Sequence, residues 1–256
     1  MPRRSFLIAI NTGGIVLGAY RYHNNLPVLL GFILSFAGIS PDKNVGVYWH
    51  AEMLGIHPDI RNQHIGQRLL LELRDYALSR NIKLIKYNFD PTETRNAHIY
   101  ISRTGSIGRK YSSNHYGSFS SSGNPSPFAG RLHMECWLDS PHTRRCLGLE
   151  IPSERAIPRP KIIDEVAVPS NMEEWKRTKD VRAINAYNVI DKNLSAAFDR
   201  GLNVLGFRIE PDGTSVYELG VFNANDSWWC HNLLLFNLLS KETPYHYSIN
   251  GLPMST

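Results

Sequence analysis

The stretch HPDIRNQHIGQRLL, residues 57–70, decides the fold, because in it a polar turn leads into a helix. Pro58 and Asp59 close the strand-like run Val45–Ile56, and apolar residues then recur at helical spacing. We therefore predict that a helix begins at about Gln63. The first backbone N–H groups of a helix have no partner within it and lie at the positive end of its dipole. The stretch thus predicts a binding site for an anion such as phosphate.

Two residues of this turn suit anion binding. Gly66 lets a ligand approach the backbone closely, because it carries no side chain. Arg61 adds positive charge at the edge of the turn. Many helices begin after a Pro-Asp pair without binding any ligand, so the turn by itself fits an ordinary helix start as well as a phosphate site.

The segments around the turn predict a mixed sheet. Residues 45–105 alternate as strand, turn, helix, strand and helix, with the second strand at Leu84–Phe89 and the second helix at Thr92–Arg103. Two strands joined by a crossover helix run parallel. Elsewhere, turn residues between strand-like runs predict antiparallel hairpins, at Ile15–Tyr22 with Val28–Phe36 and at Asn203–Ile209 with Ser215–Phe222. We expect an α/β (α+β) fold, a mostly antiparallel twisted sheet flanked by helices.

The second half of the chain predicts a smaller αβ extension. Ser170–Arg200 has a helical pattern, with a capping box formed by Ser170 and Glu173 and a stop at Gly201. We predict a loop over residues 112–130, a linker over 151–160 and a short docking helix at 233–239. The expected organisation is a main domain at 1–145, a C-terminal extension at 146–222 and a tail of unknown role at 223–256.

Composition favours a globular protein with an anionic ligand. The chain has 256 residues, 42% hydrophobic and 20% charged, and a formal net charge of +5. Residues 94–134 contain five basic residues and no acidic one, which fits either a solvated basic face or a wall for a phosphorylated ligand. No nucleic-acid motif accompanies this stretch, so nucleic acid is the less favoured partner.

The three cysteines, at 136, 146 and 230, are too widely spaced for a metal knuckle and odd in number. Free cysteines point to a reducing compartment, and we expect a cytoplasmic protein. The longest apolar run, Leu26–Ile39, is that of a buried core element, so we expect no membrane partner.

The turn resembles the R-x-x-G-x-G/A turn of the GNAT acyltransferase superfamily. Arg61 takes the leading basic position and Gly66 the second glycine, whereas His64 stands where the first glycine would be. Further motifs resemble a poorly characterised branch of predicted GNAT acetyltransferases, over roughly residues 6–222. They are GGIVLGA at 13–19, HAEMLG at 50–55, FDP at 89–91, RNAH at 95–98, RTGS at 103–106, RKY at 109–111, NHYG at 114–117, WLDSP at 137–141 and FDRG at 198–201.

The resemblance implies a co-substrate, acetyl-CoA or another acyl-CoA. It implies that strand Glu52–Ile56 splays from strand Leu84–Phe89 and that the pantetheine arm lies in the gap, paired with the backbone of Leu54 and Ile56. Asn96 matches an asparagine that contacts the pantetheine or the leaving thiol. The implied pyrophosphate site is the turn, namely Arg61, Asn62, Gln63, His64, Ile65, Gly66 and Gln67.

Acyl transfer to an amine needs a base, an oxyanion donor and, in some enzymes, an acid. Glu52 is the first candidate base and His50 the second, since we expect both to share a strand face with Leu54, whose N–H is the candidate oxyanion donor. The resemblance implies an acidic tyrosine four residues before Gly105, where Ile101 stands. The alternatives are Tyr100, Tyr111 and Tyr116.

The expected acceptor is a small-molecule or peptide amine, which the chain acylates by direct transfer. The resemblance implies a strand and one or two helices before the first hairpin, but only about 14 residues precede it. Either the chain begins late, or the acceptor wall comes from residues 145–222 or from a second subunit in a homodimer. The alternative hypothesis is a non-catalytic module that binds coenzyme A or a nucleotide. His98 and His64 lack a third ligand at a supporting spacing, which argues against a metal site.

Overall fold

The computed structural model describes residues 3–117, 127–149 and 160–223, together with the backbone of strands 246–249 and 252–253. These residues form two compact units, one with residues 3–87 and the two C-terminal strands, the other with the described residues from 88 to 223. The boundary lies between Tyr87 and Asn88, inside a strand. The domain limits predicted from the sequence stay a prediction.

The first unit is a sheet with a helix on each face. Its strands are ordered β11-β10-β1-β2-β3-β4, and only β3 and β4 run parallel among the strand pairs that the structure describes in this unit. The elements are α1 Arg3–Asn11, β1 Ile15–His23, β2 Leu26–Ile39, β3 Val47–Ile56, α2 Ile65–Ser79, β4 Leu84–Phe89, β10 His246–Ile249 and β11 Leu252–Pro253.

Helix α2 covers one face of this sheet and ends in a Schellman motif. Ile65, Leu69 and Leu73 are at most 1% exposed, which confirms the predicted apolar stripe. After Ser79 the chain turns through Asn81 in the left-handed region (φ 59°), and the N–H of Ile82 donates to the carbonyl of Ala77 over 2.9 Å. The helix therefore ends through Asn81.

Five strands of the second unit pair antiparallel, in the order β6-β5-β8-β9-β7. Buried Tyr217 donates to the carbonyl of Pro91 over 2.6 Å and so ties β9 to the loop after β4. The elements are α3 Thr94–Ala97, continued by a π-helical turn His98–Arg103, then β5 Ile107–Ser112, β6 Arg131–Trp137, α4 Pro141–Cys146, β7 Asp164–Val168, α5 Met172–Thr178, α6 Val181–Asp199, β8 Asn203–Ile209 and β9 Ser215–Gly220.

Most predicted elements are confirmed, and two expectations are corrected. Helix α2 begins at Ile65, two residues later than predicted, because the preceding residues form a tight turn. The capping box of Ser170 and Glu173 is wrong, because α5 begins at Met172 after Asn171, which makes no side-chain cap. Helices α1 and α4 and strands β5 and β7 were not predicted. The centres of the predicted loop and linker, and the predicted docking helix, lie outside the described residues.

None of the helices in the described parts of the chain combines the length and the apolar character needed to cross a bilayer.

His142 on α4 is a buried histidine in the second unit, 6% exposed. Its Nδ1 lies 3.1 Å from Nη2 of Arg145, and its Nε2 lies 4.0 Å from Sγ of Cys146. Burial, followed by the positive charge of Arg145, lowers the pKa of His142 to about 4. The imidazole is therefore neutral in the folded chain at neutral pH.

We predict that the chain loses stability as pH falls from about 6.5 to about 4, because the unfolded chain takes up this proton first. The free energy of unfolding should drop by about 3 kcal/mol across that window. Urea denaturation at several pH values measures the drop, and His142→Gln should remove most of it. His23→Gln, at an exposed histidine, is the control. An unchanged pH dependence in His142→Gln would contradict the assignment.

Candidate functional site

Strands β3 and β4 diverge, as the sequence predicts. Their parallel ladder has two register pairs, Trp49 with Ile85 and His50 with Lys86. Beyond His50, β3 continues for six residues to Ile56, paired on its other side with β2. The edge of β3 that faces away from β2 therefore leaves the ladder after His50. We name this point of divergence, at His50 and Lys86, the fork.

A β-bulge lies directly after the fork. Leu34 of β2 pairs with Met53, but Ser35 pairs with Ala51, so Glu52 is an extra residue in β3. A bulge leaves its extra residue out of the ladder and turns the strand. The hydroxyl of Ser35 is fully buried and has no hydrogen-bond partner among the described residues, so an unsatisfied polar group also lies at the bulge.

The bulge shifts which residues of β3 share a face. Trp49 packs on Tyr76 of α2, with ring centroids 5.9 Å apart. Leu54 and Ile56 also lie on the α2 face, because a Cβ placed on Gly66 of α2 would meet their side chains at 3.6 and 3.7 Å. Leu54 lies five positions after Trp49, so strict alternation would put the two side chains on opposite faces. The extra residue Glu52 shifts the alternation by one position and so places Trp49 and Leu54 on the same face.

This arrangement corrects the expectation that His50 and Leu54 share a face. His50 neighbours Trp49 in a regular part of β3 and therefore points away from α2, whereas Leu54 points toward it. The Nε2 atom of His50 lies 3.4 Å from Oε2 of Glu52, so the two candidate bases form a pair. Their side chains are 28% and 42% exposed, which leaves both accessible to a small molecule.

The turn before α2 is built from unusual backbone. Pro58–Ile60 form a single 3-10 turn, and Asn62 and His64 then adopt left-handed conformations with φ of 63° and 58°. Asn and His are among the non-glycine residues that are enriched in the left-handed region. His64 thus takes the conformation that the family's first glycine would supply, while its ring stays exposed.

The start of α2 presents backbone donors. The first intrahelical bond runs from the N–H of Arg68 to the carbonyl of His64 over 3.0 Å, so the amides of Ile65, Gly66 and Gln67 precede it. No side chain caps this end, and its first turn contains no acidic residue. Residues 61–64 are exposed, so the described chain does not block the turn. These features satisfy the requirements for an anion site.

The remaining candidates lie in the second unit, which is described by itself. Asn96 is in α3, where its N–H donates to the carbonyl of Glu93 over 2.9 Å. Tyr100 lies in the π turn, packs on Phe89 at 5.6 Å, and is only 9% exposed. Burial raises its pKa to about 12, so the phenol is protonated at neutral pH. The catalytic and binding roles of these residues stay predictions.

The two alternative tyrosines have other surroundings. The hydroxyl of Tyr111 donates to Oδ1 of Asp191 over 2.6 Å, and burial together with this bond raises its pKa. Tyr116 is 55% exposed, and the guanidinium of Arg131 lies over its ring, 4.9 Å from the ring centre.

The positive charge of the acid-free stretch 94–134 is partly neutralised by acidic residues outside it. Glu173 pairs with Arg95, and Glu135 pairs with Arg109. This pairing weakens the case for a nucleic-acid surface.

Sequence reasoning missed two residues at the fork, Tyr48 and Lys86. Lys86 pairs with His50 in the ladder, and its Nζ lies 4.8 Å from the ring centre of Tyr48. A lysine inside the otherwise apolar and aromatic start of β4 was the signal available in the sequence. No cluster of three or more His, Cys, Asp or Glu among the described residues could hold a metal ion.

A diverging strand pair beside an uncapped helix start could hold an extended ligand with an anionic end. Residues 3–103 match the model of the acetyltransferase (GNAT) family. No curated protein matches the sequence of the chain.

Several solved structures resemble the chain at low similarity. They include the NatC complex bound to Gag peptide and CoA (16% identity, 52% of this chain and 75% of that chain, TM-score 0.41). Another is Arabidopsis thaliana Naa50 with the bisubstrate analogue CoA-Ac-MVNAL (14% identity, 53% and 80% covered, TM-score 0.38). A third is a GNAT family acetyltransferase from Elizabethkingia anophelis with acetyl-CoA bound (12% identity, 53% and 83% covered, TM-score 0.38). These scores are too low to assign a substrate.

We predict that His64→Gly raises the free energy of unfolding by about 1 kcal/mol, because glycine adopts a positive φ without steric cost. His64→Val should lower it, since a β-branched residue is an outlier in this region. Urea denaturation of the two variants beside the parent chain measures both changes. Equal effects of glycine and valine would show that the ring of His64, and not its backbone, determines the stability of the turn.

Proposed function

We propose that the chain is an acyl-CoA-dependent N-acyltransferase that transfers an acyl group, with acetyl as the first choice, directly to an amine. The observation that supports this proposal best is that the start of α2 packs against strand β3. The uncapped amides at Ile65–Gln67 belong to the same helix turn whose Gly66 adjoins Leu54 and Ile56 on β3. One extended ligand could therefore contact the helix start and the strand edge.

The donor would bind through backbone groups. The pyrophosphate of the coenzyme would accept hydrogen bonds from the amides of Ile65, Gly66 and Gln67, with Arg61 near its charge. The pantetheine arm contains two amides and is extended, so it can pair with the edge of β3 as a further strand would. Leu54 and Ile56 supply backbone groups at the part of β3 that has left the ladder with β4.

The acceptor reaction needs few groups. The neutral amine attacks the thioester carbonyl, a C–N bond forms, and Glu52 or the paired His50 receives the proton of the amine. A backbone N–H at or after the bulge, with Leu54 as our candidate, would donate to the resulting oxyanion. Collapse of the intermediate breaks the C–S bond, and the thiolate leaves with the electron pair and takes a proton from the base or from water. A small-molecule or peptide amine fits this scheme.

A non-catalytic coenzyme A-binding module is the second candidate function. His64 in place of the family's first glycine favours it, since a residue with a side chain now stands in the turn proposed to hold the diphosphate. A module of this kind would bind the coenzyme but would not release free thiol in the presence of amines.

We predict that Gly66→Ala weakens acetyl-CoA binding without destabilising the fold. A new Cβ would lie 3.6 Å or more from Leu54 and Ile56, which is ordinary contact, and alanine favours a helix over glycine by about 1 kcal/mol. Binding should weaken about tenfold, because the methyl group occupies the approach of the diphosphate. Calorimetric titration with acetyl-CoA measures the affinity, and thermal unfolding without ligand measures the stability.

Gln67→Ala is the matched control, because it keeps the backbone amide and removes only a side chain in the same turn. If the parent chain shows no thermal shift with acetyl-CoA far above micromolar concentrations, the donor site is wrong. If Gly66→Ala binds as the parent does, the diphosphate does not lie at this turn.

We predict that Glu52→Gln lowers the rate of acetyl transfer about 100-fold with little change in acetyl-CoA affinity, because a base contributes to the proton transfer and not to donor binding. Release of free thiol from acetyl-CoA in the presence of an amine panel measures the rate. Asp59→Asn, an exposed carboxylate paired with His57 outside the fork, is the control. Binding without turnover in the parent chain would favour the non-catalytic module.

A further inference from the structure

The fork has a second face, which points away from α2. His50 lies on it, and so does Lys86, because paired residues of a parallel ladder point to the same side of a sheet. Tyr48, two residues before His50, shares this face, and the contact of its ring with the ammonium of Lys86 agrees with the register. The face carries a base candidate, a cation and an aromatic ring together.

Tyr48 is held in place by the neighbouring strand. It pairs with Gly38 of β2, and a Cβ on Gly38 would come within 2.5 Å of the tyrosine ring. The ring therefore lies flat across the glycine, in the space that a side chain would fill. Lys86 approaches the ring with its Nζ 4.8 Å from the ring centre. The cation is positioned by packing and is not at the end of an unconstrained side chain.

The positive charge bears on which amines can react at the fork. A cation close to the reacting amine lowers the pKa of that amine, which favours the neutral nucleophile. It repels acceptors that carry a second positive charge, and it attracts acceptors that carry a carboxylate. A lysine ammonium has three donors, so it can contact the ring and also donate to a carboxylate.

We propose that Lys86 is a specificity-determining residue, and that the acceptor is an amine bearing a carboxylate close to its nitrogen. This inference rests on the proposed N-acyltransferase function. The acceptor enters on the face opposite α2, its amine at the His50–Glu52 pair and its carboxylate at Lys86. Diamines carry a second cation, and the ammonium of Lys86 repels them.

The test compares acceptors that differ only in charge. Free thiol release from acetyl-CoA is measured with L-amino acids, with their carboxamides and with putrescine, for the parent chain, Lys86→Gln, Lys86→Arg and Lys83→Gln. Lys83 is an exposed lysine just before β4, so its replacement makes the same change in net charge outside the fork. Thermal shift with acetyl-CoA is recorded for every variant as an independent measure of folding and donor binding.

The parent chain should prefer the amino acids to their carboxamides. Lys86→Gln should lower kcat/KM for the acids by about 10- to 100-fold, as expected for a lost charge-assisted hydrogen bond, mainly through KM. The loss for the amides should be much smaller, Lys86→Arg should restore most of the preference, and Lys83→Gln should resemble the parent.

Equal turnover of acids and amides by the parent chain overturns the inference, as does an equal loss for both in Lys86→Gln. A chain that binds acetyl-CoA but acetylates only amines without a carboxylate, or none at all, overturns it as well and leaves the donor site intact. A chain that does not bind acetyl-CoA contradicts the proposed function itself, and the inference is then wrong with it.

Discussion

The separation of two parallel strands is the constraint on which the site depends. A buried strand edge without partners is costly, because each peptide group loses hydrogen bonds to water and gains none in return. Here β3 keeps its ladder with β2 along its length but leaves β4 after His50. The extra residue Glu52 lies at the same place, so the strand turns where its partner departs. A bound extended ligand would satisfy the groups that the missing ladder leaves open.

Helix α2, which follows β3, also has backbone groups that need hydrogen-bond partners. Its first amides need acceptors, and the described chain supplies no side chain for them. Gly66 brings this helix start against the side chains of Leu54 and Ile56, so two sets of unmatched backbone donors lie close together within one unit. Sites of this kind depend little on side-chain identity, and for that reason they are hard to recognise from residue types alone.

The sequence predicted this part of the fold well because periodicity reports it directly. The apolar spacing of α2, the length of β4 and the crossover between parallel strands follow from residue order. The bulge does not, because nothing in HAEMLG distinguishes a bulged strand from a regular one. The expectation that His50 and Leu54 share a face failed for this reason. The left-handed conformation of His64 could not be predicted either, since histidine is enriched in this region but only a few per cent of non-glycine residues adopt it.

The aromatic ring on Gly38 links two positions that are far apart in the chain. A side chain at position 38 would force the ring of Tyr48 to move. The ammonium of Lys86 contacts this ring, so it would lose that contact. Relatives that keep the tyrosine and the lysine should therefore keep the glycine, and those that replace the glycine should have lost the other two. Positions 38, 48 and 86 should therefore co-vary among relatives, and a change of acceptor during evolution should be accompanied by substitutions at all three.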